Sequence, residues 1–460
     1  MKRNNRDMLH GPLLSNIISY AIPIILTSVL QLLFNAADLV VVGRFRGSLS
    51  LAAVGATGAV TNMIVSAFTG LSLGSGVSVA HAIGSGNEQE QNRVVHTSIL
   101  TAFISGVILG VIGISFSEQL LILMGTPDDV LPLSVRYMRI IFAGSVFSLV
   151  YNFGASILRA EGDTKSPLIY LTIAGLLNVV LNVCFVTLFQ MNVEGVALAT
   201  ILSQGVSMVL VIMALMRRTN ALKLNLHKLR IYKASLIKIL SLGLPAGIQG
   251  SLFSISNVLI QSSINSFGPV MMSGCAASSN IEGFVMVMMD AFNQSALNFT
   301  GQNAGAGQVK RIKKIFCCCL GCVATVGIVA GTLAYIFAPQ LLSIYITDSP
   351  EAIACGVERM VFLCLPYFVL GMVNVIAGVI RGLGSSLVPM LISVFGICIL
   401  RIVWITTVFQ IPQFHTPDWL FATYPISWVV TLVMQFVAFS VVYKKWVKRQ
   451  ERSPQQKAEV

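Results

Sequence analysis

Apolar residues run along this 460-residue chain in long stretches, separated by short gaps that hold most of the charges and turn-forming residues. The runs lie near 13–43, 52–84, 93–117, 132–158, 167–190 and 195–216, and then near 235–264, 270–303, 313–338, 357–380, 387–410 and 418–443. Runs of this kind are long enough to cross about 30 Å of hydrocarbon as helices. The pattern predicts an all-α polytopic membrane protein with twelve transmembrane helices. The first run, from Leu13 to Val42, exceeds a signal-peptide core, and no small-residue cleavage site follows a short one, so it reads as the first span.

Composition points the same way: 55% of the residues are hydrophobic and 10% charged, which leaves too little polar surface to solvate a soluble core of this length. The formal charge of +12 raises the question of nucleic acid, but the basic residues sit in the gaps and not on one aromatic-interleaved face. Nearly all nine cysteines fall inside apolar runs and read as small hydrophobes. The cluster CCCLGC at 317–322 lacks nearby histidines and opens a span, so neither a metal site nor a disulfide framework is expected.

Charge also sets orientation. With a cytoplasmic N-terminus, the inner gaps hold Arg93, Arg159, Lys165, Arg381 and the clusters 217–238 and 310–314, whereas Arg44, Arg46, Arg136, Arg139 and Arg359 flank the outer side and Arg401 lies within a span. This bias predicts that both termini face the cytoplasm and that the protein resides in the inner or plasma membrane. The connection RRTNALKLNLHKLRIYK, starting at Arg217, reads as a basic interfacial helix, and the polar tail after Trp446 reads as disordered.

Sliding the chain against itself by 221 or 222 residues exposes a duplication. Pro23 falls on Pro245, Asn35 on Asn257, Phe45 on Phe267, Gly84 on Gly305 and Gly86 on Gly307; LRAEGDTKSP at 158–167 falls on IRGLGSSLVP at 380–389. The chain therefore divides into an N-lobe, 1–220, with helices 1–6 and a C-lobe, 221–460, with helices 7–12. An even number of spans per unit gives a parallel repeat, two pseudo-symmetric six-helix bundles around a central cleft, and such lobes suit alternating access better than a channel pore.

Few residues in the spans can carry chemistry. Asp38 lies about two-thirds along the first span, where a carboxylate must face protein or water, be paired, or be protonated. It can serve as a coupling site that releases a proton in alternation with substrate; equally, with Arg44 and Arg46 close behind, it can be a structural group at the outer interface. Pro23 can act as a hinge in the first span or as a static bend shared with Pro245. In the second half, Asp290 and Glu282 are offset by about 80° around one helix, and either can draw a cationic substrate into the cleft; Arg401 is positioned to neutralise one of them. Gly70, Ser72 and Gly74 spell G-x-S-x-G inside an apolar span, where a small-residue packing face is favoured over a hydrolase nucleophile. No metalloprotease, Walker or dinucleotide motif appears, so no enzyme activity and no cofactor beyond a coupling ion is expected.

Several segments together resemble one family: the first span with Pro23 and FNAAD ending on Asp38, IGSGN at 83–87, LRAEGDTKSP and GQNAGAG at 301–307. They are similar to the multidrug and toxic compound extrusion (MATE) transporters, closest to the DinF-like branch, and the resemblance runs from about residue 13 to 445. It implies a polar cation- or proton-coupling site built from the first, fifth and sixth spans, here Asp38, Asn178, Asn182 and Thr200. The branch often carries a second carboxylate where this chain has Asn182, so a carboxylate pair is absent. The seventh and tenth spans, where a NorM-like branch places acids, hold SLFSISN and FVLGMVNV. What the resemblance implies is a monomeric secondary antiporter exporting amphipathic, cationic organic compounds, antibiotics among them, in exchange for H+ or Na+. The alternatives are a flippase for lipid-linked saccharides, which asks for more intramembrane arginine than Arg401 alone, and a membrane-embedded hydrolase built on Ser72.

Overall fold

A computed structural model describes residues 7–347 and 349–458; the side chains of residues 48, 59, 60 and 452–458 are left aside. The described residues contain no strand. In chain order the helices are α1 (Leu13–Arg46), α2 (Ser48–Gly84), α3 (Glu88–Leu123), α4 (Leu131–Ala143), α5 (Ser145–Glu161), α6 (Lys165–Val183), α7 (Val193–Met216), α8 (Lys233–Asn265), α9 (Pro269–Gly305), α10 (Val309–Ile336), α11 (Ala338–Ser343), α12 (Pro350–Cys364), α13 (Tyr367–Gly382), α14 (Leu387–Ser393), α15 (Leu400–Thr406) and α16 (Pro417–Ala458). A π-helical turn, Cys184–Leu188, extends α6, and another, Val394–Ile399, joins α14 to α15.

Among the described residues, nine helices are long and apolar enough to span a bilayer, and two bent pairs bring the number to eleven. The twelfth expected span, α9, is as long as α2 at 37 residues but carries Glu282, Asp290 and a run of amides, so hydropathy alone passes over it. Its polar face is buried, with Asn298, Gln302 and Asn303 at most 5% exposed, and this is what lets a polar helix sit in a bundle. The bends fall at matching places in the two halves: α4 meets α5 at 46° beside Gly144, and α12 meets α13 at 41° beside Pro366. Pro366 has no N–H to give to the backbone ladder, and Gly144 has no side chain to resist a bend. Elsewhere the helices expose large apolar side chains, such as Val40, Leu188 and Val437, as lipid-facing surfaces do.

The chain forms two compact units. Unit 1 takes in Ile22–Ser251 and unit 2 takes in Met8–Ala21 with Leu252–Val460. The opening helix of each repeat thus belongs to both units, α1 changing over directly before Pro23 and α8 six residues beyond Pro245. In unit 2, Tyr20 of α1 is fully buried edge-on against Phe299 of α9, with ring centroids 5.4 Å apart. Asn303 donates to the carbonyl of Met8 at 3.0 Å.

In unit 1, α2 crosses α8 through bare backbone. A Cβ on Gly70 would stand 2.2 Å from the Gly247 nitrogen, and one on Gly74 would stand 2.3 Å from the Ile239 carbonyl oxygen. The G-x-S-x-G sequence is therefore a small-residue crossing. Ser72 Oγ donates to the Thr69 carbonyl one turn back at 2.7 Å.

Two expectations are corrected here. The connector from Arg217 is not an interfacial helix: apart from one 3-10 turn, Leu226–Lys228, it is extended and turning. Leu222 and Leu224, each 1% exposed, pack into the core of unit 1. Side chains of α3 stand in for the missing helical bonds: Asn225 N donates to His96 Nε2 and Tyr232 N to Thr97 Oγ1, each at 3.1 Å, and Asn92 donates to the Ala221 and Lys223 carbonyls. Arg218 is clamped between Glu161 Oε2 at 3.0 Å and Asp163 Oδ2 at 2.8 Å. The polar tail, expected to be disordered, continues α16 as helix to Ala458; it contains no glycine, and its one proline, Pro454, does not end the helix.

Candidate functional site

In unit 1 the four polar residues assigned to one site come together. Asp38 of α1 accepts a hydrogen bond from Asn182 Nδ2 through Oδ1 and one from Thr200 Oγ1 through Oδ2 at 3.5 Å. Asn178 and Asn182, one turn apart on α6, are linked at 3.4 Å, and Asn178 Nδ2 donates to Thr200 Oγ1 of α7, also at 3.4 Å. Asn182 is fully buried, Asn178 is 5% exposed, and Asp38 is half-buried. The buried oxygen Asn182 Oδ1 has no hydrogen-bond partner among the described residues.

Neither Arg44 nor Arg46 pairs with Asp38 among the described residues. Arg46 instead donates to the Val186 carbonyl at 2.6 Å and to Gln190 Oε1 at 3.1 Å, fastening the end of α1 to the π-turn that follows Asn182. Asp38 has no ion-pair partner among the described residues. Its oxygens, with those of Asn182 and Thr200, leave a small oxygen-rich site that can carry a proton on the carboxyl or face a small monovalent cation.

The second half treats its acids differently. Glu282 of α9 is 4% exposed and is paired in bidentate fashion with Arg359 of α12: Nε to Oε1 and Nη2 to Oε2, both at 3.0 Å. This corrects two expectations at once, that Arg359 flanks the membrane and that Arg401 neutralises an acid. The sequence does hold a sign of it. Ser349 accepts from Ala352 N, with Pro350 as the first helical residue, an N-terminal signature that starts the helix nine residues before Arg359 and so carries it inside the span. Asp290 is held locally, accepting from Asn293 Nδ2 at 2.9 Å and from Gln294 Nε2 at 3.1 Å.

Glu282 and Arg359 border a cavity of about 320 Å³ inside unit 2, between α8, α9, α12, α13, α15 and α16. Asp290 does not line it, so the two acids of α9 are not brought to one place. The cavity includes residues that composition did not single out: Asn257 and Ile260 of α8, Tyr424 and Trp428 of α16. Ile260 is the repeat counterpart of Asp38, so the wall that is acidic in unit 1 is apolar in unit 2. Arg401 also lines the cavity. Buried arginine is thus not limited to Arg401: Arg359, and Arg381 in the last turn of α13, are each 6% exposed.

Comparison with known proteins places this architecture. The chain is 27% identical over 435 residues to the "Probable multidrug resistance protein YoeA" of Bacillus subtilis, covering 93% of each chain. It is 26% identical over 404 residues to an FAD transporter of Shewanella oneidensis, covering 86% of this chain and 87% of that one. Its fold superposes on a crystal structure of a MATE protein in the bent conformation with a TM-score of 0.86, at 20% identity and over 97% of this chain and 98% of the other. The sequence model of the MatE family matches twice, over residues 23–184 and 245–406, so each match opens on the repeated proline and the two fall in the same register as the internal duplication. The chain belongs to the MatE family of multi-pass membrane transporters.

Proposed function

We propose that this transporter is a secondary antiporter that exports amphipathic organic compounds in exchange for H+ or Na+, and that the coupling ion is handled at Asp38. One observation carries the reading: a half-buried carboxylate in a membrane span has no cationic partner among the described residues and is held by Asn182 and Thr200. An ion pair would fix the charge of Asp38 permanently, whereas neutral amide and hydroxyl donors leave it free to gain and lose a cation. Asp38 faces an amide at Asn182 and not a second carboxylate, so a single acid does the exchange. Pro23, at the point where α1 passes between units, is the position at which a rocking motion would bend the helix. Relatives described as multidrug resistance proteins support export of drugs, and one further relative is described as an FAD transporter. Both termini are proposed to face the cytoplasm.

The test is dye efflux from inverted vesicles under separately imposed proton and sodium gradients. Asp38→Asn is expected to lower gradient-driven efflux at least about tenfold, since the charge that must alternate is gone. Ser72→Ala is expected to leave efflux unchanged. Efflux that survives in Asp38→Asn rules out this coupling site.

A further inference from the structure

The cavity of unit 2 carries an unbalanced positive charge. Glu282 and Arg359 cancel one another through two charge-assisted hydrogen bonds. Arg401, which lines the same cavity, is 4% exposed and makes no ion pair among the described residues. Its one hydrogen bond is from Nε to Ser427 Oγ at 3.1 Å, and its guanidinium carbon lies 4.2 Å from the centroid of the Tyr424 ring and 6.0 Å from that of Trp428. An arginine has five N–H donors, so among the described residues the two Nη groups of this one have no acceptor. A lone guanidinium in a transmembrane helix is costly to bury and persists where an anion can complete it.

The walls say what else the ligand carries. Tyr367 stacks on Trp428 with centroids 5.3 Å apart and an interplanar angle of 21°, and Tyr424 meets Trp428 edge-on at 5.8 Å. Asn257 adds a neutral amide on α8. These rings are packed on one another and on Arg401, so they form an apolar wall beside a fork of N–H donors, which suits an organic molecule bearing a carboxylate or phosphate that guanidinium binds in a planar, bidentate way. Neither acid of α9 offers a cation a free partner in the cavity, since Glu282 is matched and Asp290 lies elsewhere.

We infer that the cavity of unit 2 is a substrate subsite for the anionic group of an amphipathic organic molecule, with Arg401 as its counter-charge. The inference rests on the proposed export function only in naming the ligand a substrate; the binding itself stands on this geometry. It replaces an expected preference for organic cations with a preference for organic anions in this half of the protein.

The test uses full-length protein in detergent and four naphthalene probes: 1-naphthyl phosphate, 1-naphthoate, neutral 1-naphthalenemethanol and cationic 1-naphthylmethylammonium, with affinities measured by titration calorimetry. At least one anion is expected to bind about tenfold or more tighter than the alcohol and the ammonium compound, the size expected for hydrogen bonds to a charged group. A preference for the phosphate alone, or for the carboxylate alone, names the group the site takes. Arg401→Met is expected to erase the anion preference and leave the alcohol's affinity unchanged, with Arg401→Lys in between. Equal affinities across the four probes in the wild-type protein overturn the inference, whether or not the Arg401 variants fold. So does an Arg401→Met protein that keeps the preference, because Arg401 would then be a packing group for Tyr424. Asp38→Asn separates the two proposals: it should lose gradient-driven efflux and keep the anion preference.

Discussion

Removing Arg359 should cost unit 2 a large part of its stability, and removing Glu282 as well should restore most of it. The two side chains meet through two contacts of 3.0 Å, with only 8% and 5% of their surfaces exposed, so water screens them little. At that separation and an effective dielectric near 20, the attraction is about 5.5 kcal/mol. Most of it offsets the cost of bringing two charges out of water, which is why the pair as a whole contributes little while either half alone is expensive. Arg359→Met strands a buried carboxylate and is expected to destabilise by about 3–5 kcal/mol. At about 2–4 °C per kcal/mol for a domain of this size, that is a drop of roughly 6–20 °C in melting midpoint. The double variant Glu282→Gln/Arg359→Met should melt within a few degrees of wild type. Intrinsic tryptophan fluorescence of the purified full-length protein follows the transition, because Trp428 lines the same cavity. If the two single changes simply add in the double variant, the pair is not coupled and the account of how Glu282 is neutralised fails.

Two further outcomes follow from the packing of unit 1. Gly74→Ala should destabilise by about 1–3 kcal/mol, because its Cβ would meet backbone atoms of α8 at 2.3 and 2.6 Å, which cannot swing aside as a side chain can, whereas Ser72→Ala should stay within about 0.5 kcal/mol; thermal melts of the two variants decide it. Arg218→Met should leave Glu161 and Asp163, 9% and 7% exposed, without their shared cation and loosen the connector, so trypsin should cut between residues 217 and 238 faster than in wild type; an unchanged digestion rate would mean that Leu222 and Leu224 hold the connector unaided.

The hydrophobic pattern determined the class of fold, because a membrane span is a local property: a run of apolar residues of the right length must be a helix wherever it sits. The duplication was legible for a similar reason, since Pro23 and Pro245, Arg159 and Arg381 keep their spacing whatever the lobes do. Asp38 stood out as a charge in an apolar run, and Asn178 and Asn182 as a pair one turn apart. Their meeting with Thr200 was read from family resemblance, and packing of α1, α6 and α7 realises it. What tertiary structure alone decided was partnership. Nothing local tells Glu282 that its cation lies 77 residues away on α12, or tells Arg401 that it has no anionic partner among the described residues. The connector shows the same limit: its charges and leucines fit an amphipathic helix, but hydrogen-bonding side chains on α3, Asn92 donating and His96 and Thr97 accepting, hold it extended. Charge along a chain gives a residue's cost of burial; only the fold supplies the group that offsets it, and Arg401 lines its cavity with no ion-pair partner among the described residues.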